Sequence, residues 1–292
     1  MTHPDLYSQV RHLWRGRVRR PVVQWCDDNL RLSERVTWQA GPWHTAAFPY
    51  EAGIFWLWQH PRVETLTLQW GTRLGKTVLI PALAAWAACN DPGPALIACA
   101  NHNSAKTFVR EKLYPMLEDC RETAPMLLSE SQRAFPVVDL RQMLVYLAWA
   151  GSTTALAEKA IRYAFLTELD KWPAEESREA DPETLALERT KDWPNRKILK
   201  EGTPTIEGVS RLEANLRSAD VVLHYHVPCP HCGAFQVLQF KQVRWAKEGE
   251  KNIPSLARET AYYECAQCKG EIRDEHRHGM LRRGVWAPPD YR

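Results

Sequence analysis

The sequence predicts an α/β fold, with a mostly parallel sheet covered by helices on both faces and a small four-cysteine module beyond it. Three observations carry this. Short apolar, β-rich runs alternate with helical stretches from about residue 63 to residue 226, and strands alternating with helices imply a parallel sheet buried on both sides. One strand–turn–helix passage has a glycine-bounded turn that ends in Gly75-Lys76-Thr77. Two C-x-x-C pairs, Cys229/Cys232 and Cys265/Cys268, lie in a C-terminal segment of changed composition.

The composition bounds the remaining possibilities. A chain of 292 residues with 45% hydrophobic and 25% charged residues is ordinary globular material, long enough for about two domains. This excludes a disordered, collagenous or coiled-coil chain. Apolar runs such as Leu79–Ala88 fall short of the roughly 20 residues that a membrane span needs. The first thirty residues carry Asp5, Arg11, Arg15 and Asp27 without an apolar core, so no signal peptide is expected. The net charge of +3, from 38 basic and 35 acidic residues, neither announces nor excludes a nucleic-acid partner. Thirteen Trp supply large buried or stacking faces, but a count names no partner. With no export signal, the eight Cys point to a reducing compartment, a metal site, and four plain thiols at Cys26, Cys89, Cys99 and Cys120.

The elements follow in order. Residues 1–40 read as a basic arm, with Arg11, Arg15, Arg17, Arg19 and Arg20 before Pro21 and a helix over Val22–Leu32. Pro42, Pro49 and Pro61 punctuate a helix over Tyr50–His60. Val63–Leu68 is a strand, Gly71–Lys76 a turn, and Thr77–Cys89 an apolar helix. Ala95–Ala100 is a strand and Ser104–Leu117 a helix; Val137–Leu140 and Gln142–Trp149 form a strand pair. Tyr163–Thr167, Ile198–Leu199 and Val221–His226 are the remaining strands, and residues 173–190 form a charged, exposed helix with its loop. The expected domains are an arm over 1–40, an α/β domain over 41–226, a cysteine module over 227–275, and the start of a linker over 276–292.

The turn Gly71, Thr72, Arg73, Leu74, Gly75, Lys76, Thr77 has the chemistry of a phosphate-binding loop, which makes the α/β domain a P-loop NTPase. Gly75 lets the backbone approach phosphate, and successive N–H groups at a helix N-terminus offer partial positive charge. Lys76 reaches the β- and γ-phosphates of ATP, and the Thr77 hydroxyl ligates Mg²⁺. The usual first glycine would stand at position 70, where this chain has Trp70, so the loop is one residue shorter. Arg73 inside the loop has two readings, a solvent-facing side chain or a charge that swings to the γ-phosphate.

An ATPase also needs acid at the end of a neighbouring strand. In Tyr163-Ala-Phe-Leu-Thr-Glu-Leu-Asp170, Glu168 is the expected catalytic base. Thr167 occupies the position of the metal-binding carboxylate and brings no charge. Asp170 is the expected compensation, so Thr77, Thr167 and Asp170 form the expected Mg²⁺ set. After the Ile198–Leu199 strand, Thr203-Pro204-Thr205 is placed to sense the γ-phosphate and pass the change on. The two knuckles Cys229-Pro-His-Cys232 and Cys265-Ala-Gln-Cys268, each followed by glycine within two residues, match a closed tetrahedral structural Zn²⁺ site. His231, His276 and His278 are not expected to be ligands.

These pieces come in an order that resembles the ATPase half of the large terminase subunit of tailed phages, of the lambda-like type. The resemblance runs from Val22-Val-Gln-Trp-Cys-Asp27 through Pro49-Tyr50, the arginine-containing loop, Asp91-Pro-Gly-Pro94, Ala105-Lys106, Pro115-Met116, Arg162-Tyr163 and Thr203-Pro-Thr205 to the first cysteine knuckle. It implies a motor that hydrolyses ATP to drive double-stranded DNA into a procapsid. It further implies a homo-oligomeric ring on the portal protein, with a small terminase subunit as partner, in the cytoplasm of a bacterial host. In this reading Lys76 and Thr77 handle phosphate and metal, Arg73 is the loop arginine, Glu168 the base and Thr203–Thr205 the coupling segment. Pro49, Tyr50 and Gln69 are the expected adenine side, and Lys159, Arg162, Arg211, Arg217, Lys241 and Lys247 are candidate contacts to DNA phosphate. The family continues into a nuclease; this sequence stops at Arg292, and no nuclease activity is expected of it. The residues alone leave two other readings open: a helicase-like translocase, and a nucleotide-binding remnant with impaired hydrolysis.

Overall fold

The computed structural model describes residues 19–35, 37, 39–157, 159–173, 181–206, 208–249 and 251–291. Arg11, Arg15 and Arg17 of the basic arm lie outside the described residues. The chain divides into two units. One takes the chain up to Trp43 together with Trp56–Asn215, and the other takes His44–Phe55 together with the chain from Leu216 onward.

In the first unit, the Val22–Asn29 helix buries Val22, Trp25 and Cys26. It leads into a two-stranded ladder of β1 (Arg31–Leu32) and β2 (Gly41–Pro42). Six further strands form the main sheet: β3 (Thr65–Gln69), β4 (Ala95–Cys99), β5 (Val137–Asp139), β6 (Leu144–Trp149), β7 (Tyr163–Leu166) and β8 (Lys197–Gly202). Their order is β3-β8-β7-β4-β6-β5, and every pair is parallel except β5 with β6. β4 and β7 are buried at every position, as interior parallel strands covered on both faces must be. Trp58 stacks against Tyr163 and Phe165 on β7, with ring centroids 6.0 and 5.4 Å away.

The Lys76–Asn90 helix is apolar almost all round and is buried from Leu79 to Ala88, which marks a helix enclosed by its neighbours. The helix expected over Ser104–Leu117 is wider. It begins at His102, where the Asn101 side chain accepts from the Ser104 N–H, and passes through a π-helical turn at Val109–Leu113 before ending at Asp119.

At the edge opposite the Gly71–Thr77 loop, at the N-terminal ends of β4 and β7, a buried ion pair joins two of the sequence motifs. Arg162 holds Asp91 bidentately at 2.5 and 2.9 Å, Arg19 adds a third contact at 2.9 Å, and the Tyr163 hydroxyl donates to the Asp91 carbonyl. Gly93 is required here, because a Cβ would lie 2.6 Å from Arg162 Cδ. Arg162 is 5% exposed, which corrects its reading as a DNA contact. A guanidinium buried and doubly bonded to Asp91 is a structural tie. Arg20 likewise binds Glu122 and Asn90 rather than water alone.

The second unit differs from the expected boundaries. The last strand expected of the main sheet is instead β9 (His224–Pro228). It pairs antiparallel with β10 (Phe235–Val237) and with β14 (Val285–Ala287). A second antiparallel sheet contains β11 (Val243–Arg244), β12 (Tyr262–Glu264) and β13 (Glu271–Ile272). Residues 276–291, expected as a linker, are folded into this unit. The Arg277–Arg282 helix buries Met280, and Val285 pairs with His226. His44–Phe55 belongs here too, because Trp286 Nε1 donates to the Tyr50 carbonyl at 2.8 Å. Gly53 leaves room for that indole; a Cβ would sit 2.3 Å from its ring.

Glu51 in the same segment is 1% exposed, and neither of its carboxyl oxygens has a hydrogen-bond partner among the described residues. Burial pushes its pKa up to about 8. The folded chain therefore keeps this proton at neutral pH while the unfolded chain has lost it. The resulting destabilisation is absent below the ordinary carboxylate range, grows as pH rises and levels off above about 8. Glu51→Gln is expected to raise stability at pH 7 by a few kcal/mol and to flatten the loss of stability between pH 5 and 8, measured as denaturation midpoint against pH.

Candidate functional site

Parallel pairing sets the site. β3, β8 and β7 run in the same direction, so their C-terminal ends share one edge of the sheet, where open α/β sheets bind ligands. β3 ends at Gln69 opposite Gly202, and β7 ends at Leu166 opposite Lys200. The next residues on each strand are the loop from Trp70, the Thr167–Glu168 pair, and the Thr203–Thr205 segment.

The loop is built by two left-handed residues, Arg73 at φ 63° and Gly75 at φ 81°. Gly75 caps the Lys76–Asn90 helix. A left-handed residue at this point turns successive N–H groups toward one concavity, the geometry that receives an anion. Lys76 Nζ donates to the Gly71 carbonyl at 3.2 Å across the loop. Thr77 is half-buried on the first helical turn, and Thr72, Arg73 and Leu74 are exposed.

The Thr203–Thr205 segment is tied directly to that loop. The Trp70 N–H donates to the Gly202 carbonyl at 3.3 Å, and the Thr203 hydroxyl donates to the Trp70 carbonyl at 3.2 Å. Gly202 accommodates the neighbouring turn, since a Cβ would meet Leu212 Cδ1 at 2.9 Å and the Leu169 backbone nitrogen at 3.3 Å.

Glu168 turns away from its strand in the left-handed region, at φ 54°, a conformation that costs a non-glycine residue of order 1 kcal/mol. Its carboxylate pairs with Lys171 at 2.5 Å, and both side chains remain substantially exposed. Thr167 is buried and held at three points. Its N–H donates to the Ala98 carbonyl, its carbonyl accepts from Trp172 Nε1, and its hydroxyl donates to Glu201 Oε1 at 2.5 Å.

Glu201 is the residue that sequence reasoning missed. It is fully buried near the end of β8, and its Oε2 has no hydrogen-bond partner among the described residues. Burial raises its pKa and the Glu168 charge adds to this, while the Thr167 hydroxyl and the Lys76 charge act in the opposite sense. A signal was present: Glu201 lies two residues beyond Leu199, on the same face of a strand whose length was read as two residues rather than six.

Asp170 has other work. Its Oδ2 accepts from the Thr205 N–H and hydroxyl, and its Oδ1 accepts from the Leu212 N–H. Burial opposes ionisation, but these bonds together with one from Ser210 hold its carboxyl below the usual range. Both oxygens are committed to Thr205 and to the start of the Arg211–Arg217 helix.

The expected adenine side is divided. Gln69 ends β3 with its Oε1 buried and unpartnered among the described residues, whereas Pro49 and Tyr50 belong to the second unit. There Tyr50 sits edge-on to Phe48 and Tyr225, with centroids 6.1 and 5.9 Å away. Of the DNA candidates, Arg211 is paired with Asp181 at 2.5 Å, and Lys159, Lys241 and Lys247 are exposed.

The four cysteine sulfurs lie within 4.8 Å of one another, with Cys229–Cys268 at 3.8 Å and Cys232–Cys265 at 3.9 Å. Four ligands at a Zn–S distance of about 2.3 Å in a tetrahedron are about 3.8 Å apart, so the residues fit this metal. Each knuckle closes the same way. The Gly233 N–H donates to Cys229 and the Lys269 N–H to Cys265, and both donors are left-handed, at φ 75° and 61°. His231 directs Nε2 at the Glu271 carbonyl, 2.7 Å away.

Removing the Asp170 carboxylate should free the Thr203–Thr205 segment. Asp170→Ala is expected to lower stability by about 1–3 kcal/mol through the lost charged hydrogen bonds and to speed amide exchange at Thr205 and Leu212. Unchanged exchange at both amides would refute this role.

The phage terminase large subunit gpA ATPase-domain family model matches residues 37–286. The chain is 24% identical over 257 residues to the large terminase subunit of Enterobacteria phage P21, covering 84% of this chain and 38% of that one. Against the large terminase subunit of Escherichia phage lambda it is 23% identical over 306 residues, covering 96% of this chain and 46% of that one. It therefore spans less than half the length of the curated relatives it matches. In structure it is similar to the large terminase of bacteriophage HK97, with a TM-score of 0.54 and 10% identity over 68% of this chain and 41% of that one, a likeness of fold. With its family match running through the phosphate loop, the acidic strand end and both cysteine knuckles, the chain belongs to the phage terminase large subunit gpA ATPase-domain family.

Proposed function

We propose that this chain is the ATP-hydrolysing motor portion of a DNA-packaging terminase and moves double-stranded DNA into a procapsid. The convergence of the phosphate loop, Glu168 and the Thr203–Thr205 segment on one sheet edge carries this reading. The loop amides and Lys76 hold the phosphates. Glu168 takes a proton from the attacking water once its pairing with Lys171 is released. Arg73, exposed in the loop, is the charge available to the γ-phosphate. Thr203 touches the carbonyl of Trp70, one residue before the loop, so loss of the γ-phosphate has a short path to the Asp170-held segment. Mg²⁺, when bound beside Thr77, neutralises charge on the phosphates. Asp170 is assigned to the coupling segment rather than to the metal.

The partners follow from the family: duplex DNA, a small terminase subunit, a portal protein, and further copies of this chain in a ring. Exposed Lys241 and Lys247 are the stronger candidates for DNA phosphate. The four thiols hold one structural Zn²⁺, with no position left open for catalysis.

Turnover is expected to rise with protein concentration and with double-stranded DNA, and to be abolished in Lys76→Ala, measured as phosphate release. Tight ATP binding without turnover under all these conditions would reduce the chain to a nucleotide-binding remnant, and strand separation would make it a helicase. Elemental analysis is expected to find one zinc per chain. Cys229→Ser with Cys265→Ser should abolish the zinc and unfold the second unit, because structural zinc supplies roughly 10 kcal/mol or more to such modules.

A further inference from the structure

We infer that Glu201, reaching from β8, supplies the metal-facing carboxylate that Thr167 does not provide on β7. This rests on the phosphate-loop reading above and identifies the acid that completes it.

The register makes the substitution possible. Leu166 pairs with Lys200 in a parallel ladder, so Thr167 and Glu201 follow side by side, and their side chains share one face. β8 lies between β7 and β3. A carboxylate on β8 is therefore one strand, about 4.8 Å, nearer to the strand that carries the loop. The Thr167 hydroxyl donates to Glu201 Oε1 and fixes the side chain. Oε2 is left without a partner in a residue that is fully buried.

An unpartnered buried oxygen is not by itself a ligand, as Glu51 shows; this one stands on the strand between the loop-bearing β3 and Thr167, which holds its other oxygen. A buried carboxylate kept only for packing would leave one oxygen desolvated and unpaired, at considerable cost. A cation bound between the loop and β8 removes that cost. Mg²⁺ is a hard cation that keeps several waters and takes one or two protein oxygens, so Thr77 and Glu201 are a sufficient set. Glu201 stands opposite Leu68 near the C-terminal end of β3, just before the strand enters the loop, and the Lys76 charge favours its ionised form. The acid has moved across the ladder, and the threonine has become the residue that positions it.

The test uses the whole chain, ADP, and Mn²⁺ as a paramagnetic stand-in for Mg²⁺. ADP affinity in EDTA reports on the loop alone, and Mn²⁺ binding to the ADP complex, read by electron paramagnetic resonance, reports on the carboxylate. Glu201→Gln keeps an oxygen for the Thr167 hydroxyl and is expected to bind ADP in EDTA at the native level. It should weaken Mn²⁺ by about 10- to 100-fold. Thr167→Asp combined with Glu201→Gln returns the carboxylate to β7 and is expected to recover Mn²⁺ binding, which also shows that the fold has survived. Native Mn²⁺ affinity in Glu201→Gln would overturn this inference and leave the phosphate-loop reading standing. Failure of the native chain to bind ADP in EDTA any better than Lys76→Ala would overturn both.

Discussion

The parallel pairing of β8 between β3 and β7 is the constraint on which the site depends. Three strands that run in the same direction must deliver their C-terminal ends to one edge. The loop, the acidic strand end and the Thr203–Thr205 segment are therefore neighbours although Trp70 and Thr203 lie 133 positions apart. The same pairing sends the N-terminal ends to the opposite edge. Arg162 and Asp91 meet there as a buried tie, away from any chemistry. Two motifs of similar sequence prominence thus have different roles, decided by which end of a strand each one occupies.

Around that edge, backbone strain and close approach are concentrated. Arg73, Gly75 and Glu168 are left-handed, and Gly202 sits where a Cβ would strike Leu212 and the backbone of Leu169. Strained conformations persist only where the surroundings over-determine them. Here those surroundings are hydrogen bonds: Trp172 on the Thr167 carbonyl, Trp70 on Gly202, and Asp170 on Thr205 and Leu212. The same bonds link the loop to the Thr203–Thr205 segment through a few rigid contacts.

The second unit is held by a different principle. Its strands are two to five residues long, and its core cluster is small and includes Cys229 and Cys265. A module of this size gains much of its order from a crosslink, and four thiols at tetrahedral spacing have the geometry that a metal crosslink needs. Its N-terminal supplement, His44–Phe55, is drawn in by Trp286 and Tyr225. That attachment joins residues 236 positions apart.

Local pattern was enough for much of this protein. A glycine-bounded turn after a β-rich run and before an apolar helix determines a loop with left-handed residues at a helix N-terminus, because its backbone requirements are met within seven residues. Two C-x-x-C knuckles determine a four-thiol cluster that could hold a metal, because each sets its sulfurs by a local turn. The parallel α/β class followed from alternation that extends over many residues. What the sequence could not decide was every relation carried by long-range pairing. β9 and the 276–291 segment joined the second unit because β14 pairs with β9, Val285 meeting His226 across a long stretch of chain. Asp170 looked like a spare acid, but Thr205 and Leu212 claim its oxygens only once β8 and the helix after it are in place. Beyond the strand pattern that reaches it, Glu201 was missed for the same reason. Its meaning is the hydroxyl of Thr167 beside it, and a neighbour across a ladder is fixed by register, which no stretch of sequence around either residue contains.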